Sequence, residues 1–419
     1  MDIIYSIEKM VCGVPFIVIT MVLHIYFTFK LKFPQKNMLK GMKYLLENKN
    51  SNMSSYKVLM STLASTIGIG NIIGVSSAII FGGPGTIFWI FVSGFFAIAT
   101  KYAETYICLK YKKGKKGGAM YVLKNILNKK YIAIFFCFMM IISSLGMGAM
   151  VQTNAISSSI NLIDKKIIGI FLSFFVMYLL FGGEEKIAKF SSILMPAAII
   201  LYIVSIIYLF FIFKSKLLLS IKFIIKDAIG IQNIIGGVFI SKFLNTASIG
   251  ITKGLFTNEA GLGTSPLFEV KTDNKDITKQ SIISSTAVFI DTIVICVITG
   301  IVFVASGMYN EFDNPVYFAK FIFEILPYGK YIFIFFITVF AISSIPCSGY
   351  YGSACIEFLT ENKKSSKEKV NFYKIIYCVF VFIGATTSSN LVWSIASICN
   401  ALLIIPNIYM LFKLRKKVE

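Results

Sequence analysis

Along most of this chain the apolar positions neither alternate nor recur at amphipathic spacing; they run on unbroken. Eleven such runs, near 11–29, 58–80, 85–109, 131–160, 167–182, 188–213, 229–250, 282–306, 331–356, 373–387 and 391–412, can span roughly 30 Å of hydrocarbon. The runs at 167–182 and 373–387 are the shortest. Runs of this length that are apolar on every side predict helices in lipid, so the expected class is an all-α polytopic membrane protein. The first run exceeds a signal-peptide core and follows no basic stretch, which makes it a retained helix.

Two runs carry interruptions. In STIGIGNIIG, residues 65–74, Gly68, Gly70, Asn71 and Gly74 fall mid-span, where a broken helix would free backbone N–H and C=O groups to hold a small ion or zwitterion. Gly70 and Gly74 also satisfy GxxxG, a notch for close helix packing. Thr66 and Asn71 favour the interruption, because hydroxyls and amides in hydrocarbon need partners. The near-match to a GxGxxG nucleotide fingerprint fails, since no strand precedes it. The second interruption is NTASIG, 245–250, five spans later. Paired interruptions at corresponding places predict an inverted-repeat transporter in one domain, 1–419: a leading helix 11–29, a first half 58–213 and a second half 229–412.

Charge changes the picture only as topology. The net charge is +21, yet 30 of the 41 Lys and Arg lie on one alternating set of loops, 9 lie on the other, and Lys101 and Lys242 lie within spans. The basic set, ending at 413–419, is expected in the cytoplasm, with the N-terminus outside. That placement argues against nucleic acid as a partner and for a multi-pass protein of a bacterial cell membrane, the Lys, Asn, Ile and Phe bias suggesting an AT-rich genome. Lys36, Lys40 and Lys43 opposite Met38, Leu39, Met42 and Leu46 predict an amphipathic helix on anionic membrane lipid. The loop YKKGKKGG, 111–118, reads as a flexible topological signal. Eight cysteines without a CxxC pair are expected to be free thiols, with no metal cluster, no cofactor and no obligate protein partner.

Few polar side chains remain to carry chemistry. His24, the single histidine, has no ionisable neighbour and is expected to pack. Lys101 and Glu104 can pair at i, i+3 near the cytoplasmic boundary. Gln152 and Asn154 cannot share one face, so one lines a cavity while the other packs between helices. Pro196 interrupts one helical bond in its span. Glu259, in GLFTNEAGLGTSP (254–266), either gates by pairing with a lysine or caps a short helix in a cytoplasmic loop. Asp291, in FIDTIVIC, marks an ion pathway or a buried pair, with Lys242 one conceivable partner. Ser343 and Ser344 either bond back to their own helix or supply oxygen ligands to a monovalent cation.

GNIIGVSSAIIFGGPGTIFW (70–89), MVQTNAIS (150–157) and GLFTNEAGLGTSP resemble motifs of the alanine or glycine:cation symporter family, with weaker support from FIDTIVIC and residues 350–359. The resemblance runs from the leading helix to the C-terminus. It implies the leucine-transporter-type fold, a 5+5 inverted repeat with one extra leading helix and about eleven transmembrane helices. Sodium-coupled uptake of a small neutral amino acid, alanine or glycine, is the implied activity. By that likeness the cargo carboxylate meets Gly70, Asn71 and Gln152, and its ammonium meets carbonyls near Thr66 and, around Gly250, in the second interrupted helix. Sodium would sit between carbonyls at Ala64 and Ile67 and the hydroxyls of Ser343 and Ser344, where the family usually has threonines. Ser348 stands where a tryptophan commonly walls the pocket, implying a wider one. Lys253 replaces an arginine, and Pro346 is unusual beside the ion site.

Two rivals follow from the same residues. One is a proton-coupled or uncoupled amino-acid exchanger with a wider pocket, Asp291 carrying the proton. The other is an enzyme or a channel, disfavoured because no span holds a catalytic constellation or a filter repeat.

Overall fold

The computed structural model describes every residue except 1–6, 8–9, 12, 46–50, 161–162, 231–236, 362–363 and 388–389, and the side chains of 237–241 and 390–396 are likewise outside it. Cys12 and Leu46 therefore lie outside the described residues. Over its described residues each of the eleven apolar runs is mostly helical, the run 58–80 being interrupted at Ile67–Gly68. The helices are α1 (Val14–Lys30), α2 (Met38–Tyr44), α3 (Ser55–Thr66), α4 (Ile73–Gly82), α5 (Thr86–Lys110), α6 (Ala119–Asn125), α7 (Lys130–Ser159), α8 (Lys165–Phe181), α9 (Gly183–Ile212), α10 (Lys214–Ile229), α11 (Gly237–Asn258), α12 (Pro266–Glu269), α13 (Ile277–Ser306), α14 (Pro315–Glu324), α15 (Gly329–Leu359), α16 (Ser366–Thr386) and α17 (Asn390–Leu414). Among the described residues seven helices are long and apolar enough to cross a membrane, and two bent pairs raise this to nine. One pair joins α1 to the segment Pro34–Tyr44 at 65°; the other joins α3 to Ile69–Gly82 at 60°.

Local chemistry sets the helix ends. Ser54, Asp164, Asp276 and Asn314 accept the backbone N–H of Lys57, Lys166, Lys279 and Val316, relieving first-turn donors that hydrocarbon would leave unpaired. Beyond the 65° bend, Met38 and Gly41 are buried, Gly41 against Thr286 of α13, while Leu39 and Met42 are exposed, as an interfacial helix requires. α9 runs through Pro196 without a break. The cysteines described are free and buried.

α5 is the central strut, packed by α1, α11 and α13. Its contact with α11 explains NTASIG. α11 continues as helix through 245–250, and Gly250 and Gly254 bring its backbone against α5: a Cβ on Gly250 would stand 2.6 Å from Trp89 Cβ, and one on Gly254 would strike Ser93. The small residues there serve helix packing, not a second interruption. The second break lies after Asn258, where Glu259, Gly261 and Gly263 take positive φ of 53°, 87° and 75° before α12 resumes.

That break is packed inside the protein, and side chains replace its missing helical bonds. Lys101 Nζ donates to Asn258 C=O (3.2 Å), Glu104 accepts from Gly261 N–H (3.0 Å), and Asn407 of α17 bonds both Glu104 (3.0 Å) and Gly261 C=O (2.8 Å). Lys101 and Glu104, 3.8 Å apart at i, i+3, pair as expected and have no exposed surface. His24 packs beside them, its Nδ1 2.7 Å from Thr100 Oγ1. Lys242 pairs with Asp227 (3.1 Å), not with Asp291; Asp227 also accepts Gly85 N–H, clamping α10 over the GGPG turn.

Glu104→Ala strands the Lys101 cation and should cost about 3–5 kcal/mol, the usual penalty for removing one partner of a buried pair. A marked drop in apparent unfolding temperature in detergent is expected, with a smaller drop for Glu104→Gln, which still accepts from Gly261 and Asn407.

Candidate functional site

The helical ladder of α3 ends with Ile67 N–H on Leu63 C=O (2.7 Å). Ile67 and Gly68 are extended (ψ 96° and φ −130°), and Gly68 N–H, which would continue the ladder onto Ala64, donates to Asn71 Oδ1 instead (3.0 Å). The last carbonyls of α3 are thus released from intrahelical pairing. One of them, Ser65 C=O, accepts from Ser344 Oγ of α15 at 3.4 Å. Gly68 is required by proximity, because a Cβ there would lie 3.1 Å from Gln152 Nε2. Gly74 meets nothing within 4 Å, so it faces open space and forms no packing notch.

A cavity of about 80 Å³ lies at this break, lined among others by Thr66, Gly68, Gly70, Gln152, Glu259, Ser344 and Ser348. Two π-helical turns lie near the cavity, and the one in α7 contributes Met147 to its lining. Ser144–Val151 of α7 ends directly before Gln152, and Phe289–Cys296 of α13 carries Asp291. Wide π turns often occur at functional sites. Gln152 Oε1 is buried without a hydrogen-bond partner, an acceptor aimed into a polar cavity. Gly148 backs directly onto Ser348, letting α7 and α15 approach closely. Glu259 Oε2 accepts from Thr264 Oγ1 (2.7 Å), which holds its left-handed backbone.

The remaining residues expected at the site fall elsewhere. Ala64, Ile67 and Ser343 are fully buried behind the cavity wall, and Ser343 Oγ bonds back to Phe340 C=O (2.9 Å). Asn71 is turned from the cavity: its Nδ2 donates to Asp291 Oδ1 at 2.6 Å. Asp291 likewise does not line the cavity and accepts a second bond from Thr292 (2.9 Å). Gly250 sits in the α5 interface described above. Pro346 leaves α15 helical, with Tyr377 Oη donating to the Ile345 C=O beside it (2.7 Å).

A vestibule of about 520 Å³ shares Ile69, Gly74, Lys253 and Ser397 with the cavity and opens past Asn154 and Tyr317, away from the basic loops. Gln152 lines the cavity, while Asn154 lines the vestibule and bonds Thr387 C=O (2.6 Å) just past the end of α16. Toward the basic face the site is shut. Tyr351 Oη donates to Ser65 Oγ (2.8 Å), Thr62 of α3 donates to Glu269 (3.1 Å), and Gln280 donates to the other Glu269 oxygen (2.6 Å). Burial raises the Glu269 pKa, and the bonds from Gln280, Ser284 and Thr62 pull it back. The 111–118 loop is tied into this closure: Lys112 Nζ donates to the carbonyls of Val270 (3.1 Å) and Thr272 (3.3 Å), and Lys116 pairs with Glu361 (3.1 Å). Lys112 thus braces the segment that follows α12, which charge counting alone does not reveal.

Ser65, Phe256, Thr257 and Asn400 also line the cavity. Asn400 carried a usable signal, an amide in an apolar span that here accepts from Ser143. Phe256 carried none.

The sequence model of the sodium:alanine symporter family matches residues 1–419. An uncharacterized transporter of Haemophilus influenzae is 31% identical, covering 99% of this chain and 94% of its own length. The sodium/alanine symporter AgcS of Methanococcus maripaludis is 31% identical over 97% of this chain and 93% of its own. A probable sodium/glutamine symporter, GlnT of Bacillus subtilis, is 28% identical over 96% and 86%. Among solved structures, MhsT in complex with L-phenylalanine superposes with a TM-score of 0.61 at 14% identity, over 85% of this chain and 88% of that one. A Na+-coupled sialic acid symporter in a substrate-bound outward-open state gives 0.59 at 15% identity, over 91% and 82%. These likenesses show the fold: an all-helical, leucine-transporter-type architecture, here led by α1.

Gly68→Ala should weaken amino-acid binding by about tenfold, roughly 1.4 kcal/mol, by pushing Gln152 into the cavity. Adding Gln152→Ala should relieve the clash without restoring full affinity, as read by titration calorimetry.

Proposed function

The chain belongs to the sodium:alanine symporter family, and from that premise we propose that it imports a small neutral amino acid, alanine or glycine, together with sodium by alternating access. At the coarser level it is a cation-coupled amino acid transporter and a multi-pass membrane protein, not an enzyme. Sodium is assigned to the carbonyls around Ala64 and Ile67 with Ser343 and Ser344. Cargo is assigned to the broken backbone at Gly68 and Gly70, with Thr66, Gln152 and Ser348 around it. The observation that carries the reading is Ser344 Oγ on Ser65 C=O, a hydroxyl from one helix and a released carbonyl from another converging on one cavity. Such oxygen-only sets suit a hard monovalent cation.

The basic loops are assigned to the cytoplasm, with the N-terminus outside. In that orientation the vestibule opens outward and the Glu269 closure is the inner gate, so the conformation is outward-facing. Sodium entry supplies about 2.3 kcal/mol per charge per 100 mV beyond its concentration gradient. Segments 58–213 and 229–412 are the two rocking halves of one domain, with 11–29 outside them. The proton-coupled alternative draws no support from Asp291, which lies outside the cavity wall.

Proteoliposomes with an inward sodium gradient should accumulate labelled alanine; accumulation persisting without any sodium gradient would contradict the coupling. Ser344→Ala should raise the half-saturating sodium concentration about tenfold, and Ser343→Ala less, because its hydroxyl is already bonded within its own helix. Because Gly148 closes the space behind position 348, the ring of Ser348→Trp must enter the cavity. In a competition panel that variant should narrow preference toward glycine and alanine.

A further inference from the structure

One fully buried carboxylate near the site has no part in the proposed cation or cargo contacts. Asp291 has no exposed surface, does not line the cavity, and is bonded only through Asn71 and Thr292 among the described contacts. Its bond to Asn71 Nδ2 is short, 2.6 Å, and the π turn of α13 brings the Asp291 carbonyl to 3.4 Å from the same nitrogen. With Nδ2 so held, Asn71 Oδ1 is left pointing at Gly68 N–H, 3.0 Å away. That N–H is the donor a continuing helix would return to Ala64.

We infer that Asp291 is a positioning residue: through Asn71 it diverts the Gly68 N–H and so holds the first break open, making the carbonyls of Ala64 and Ser65 available at the site without touching ion or cargo. A carboxylate suits this task because it only accepts, so the Asn71 amide can present only its nitrogen to Asp291 and only its oxygen to Gly68. A neutral hydroxyl or amide at 291 would specify the orientation less strictly. What the task requires is an acceptor held on Asn71 Nδ2, and the short bond from Asp291 Oδ1 supplies it.

The inference uses the sodium and cargo reading above only for its readout. Asp291→Ala leaves Asn71 Nδ2 without its main acceptor and should raise both the half-saturating sodium concentration and the cargo Kd by about tenfold, with maximal uptake rate little changed. In Asp291→Asn, Oδ1 still accepts from Asn71 while Nδ2 donates to Thr292 Oγ1, so both affinities should stay within about threefold of the parent and the pH profile of uptake should be unaltered. Asn71→Ala combined with Asp291→Ala should cost no more than either alone, since both act through one bond. Asp291→Asn decides the matter even where the alanine variant fails to fold. A loss there above tenfold, or a flattened pH profile, overturns the positioning role in favour of a proton or ion ligand; additive losses in the double variant overturn the route through Asn71. Sodium-independent cargo binding by the parent protein would fail the coupling reading, and the Asp291→Asn cargo affinity would still decide this one.

Discussion

The structure turns on backbone hydrogen bonds that are surrendered by the helix ladder and taken over by side chains. Inside hydrocarbon no water repairs an interrupted helix, so each break needs a donor or acceptor brought from elsewhere in the fold. At the first break that supply is the Asn71 amide, itself oriented by Asp291. At the second it is Lys101, Glu104 and Asn407, contributed by α5 and α17. The two solutions differ in chemistry: one uses a single amide relay, the other a buried ion pair with an amide bridging it. The first leaves released main-chain carbonyls beside the cavity, and from the second Glu259 reaches the cavity lining.

Much of this was legible in the residues. Long apolar runs gave every spanning helix, and Gly68, Gly70 and Asn71 marked the first break, since no apolar helix needs three such residues together. Gln152 was readable as a cavity residue because an amide in a greasy span must be partnered or used. The second break was misplaced. NTASIG and NEAGLG are both small and polar, and only packing separates them: Gly250 and Gly254 fit against Trp89 and Ser93, while Gly261 and Gly263 take positive φ. Sequence spacing carries no information about which small residue faces a neighbouring helix.

Ionic partners were the least legible part. Lys242 and Asp291 look like natural partners in a list of charged positions within spans, yet Lys242 reaches Asp227 on α10 and Asp291 reaches an amide. Asn71 carried the opposite difficulty. Its place between glycines suggested direct contact with cargo, whereas its side chain points to α13 and shapes the site from behind. The basic 111–118 loop shows the same limit, since its lysines count as a topological charge signal but also cap the carbonyls of Val270 and Thr272.

The two π-helical stretches have a consequence for evolutionary bookkeeping. Each wide turn accommodates one residue more than an α-helix would over the same rise, so everything C-terminal to it is rotated by about 100° relative to a regular helix. A homologue that lacks the wide turn in α7 must therefore carry a one-residue deletion before the position equivalent to Gln152, or present a different side chain to the cavity. Gap placement within 144–151, usually treated as alignment noise inside a helix, thereby becomes a marker of whether two transporters share the same wall.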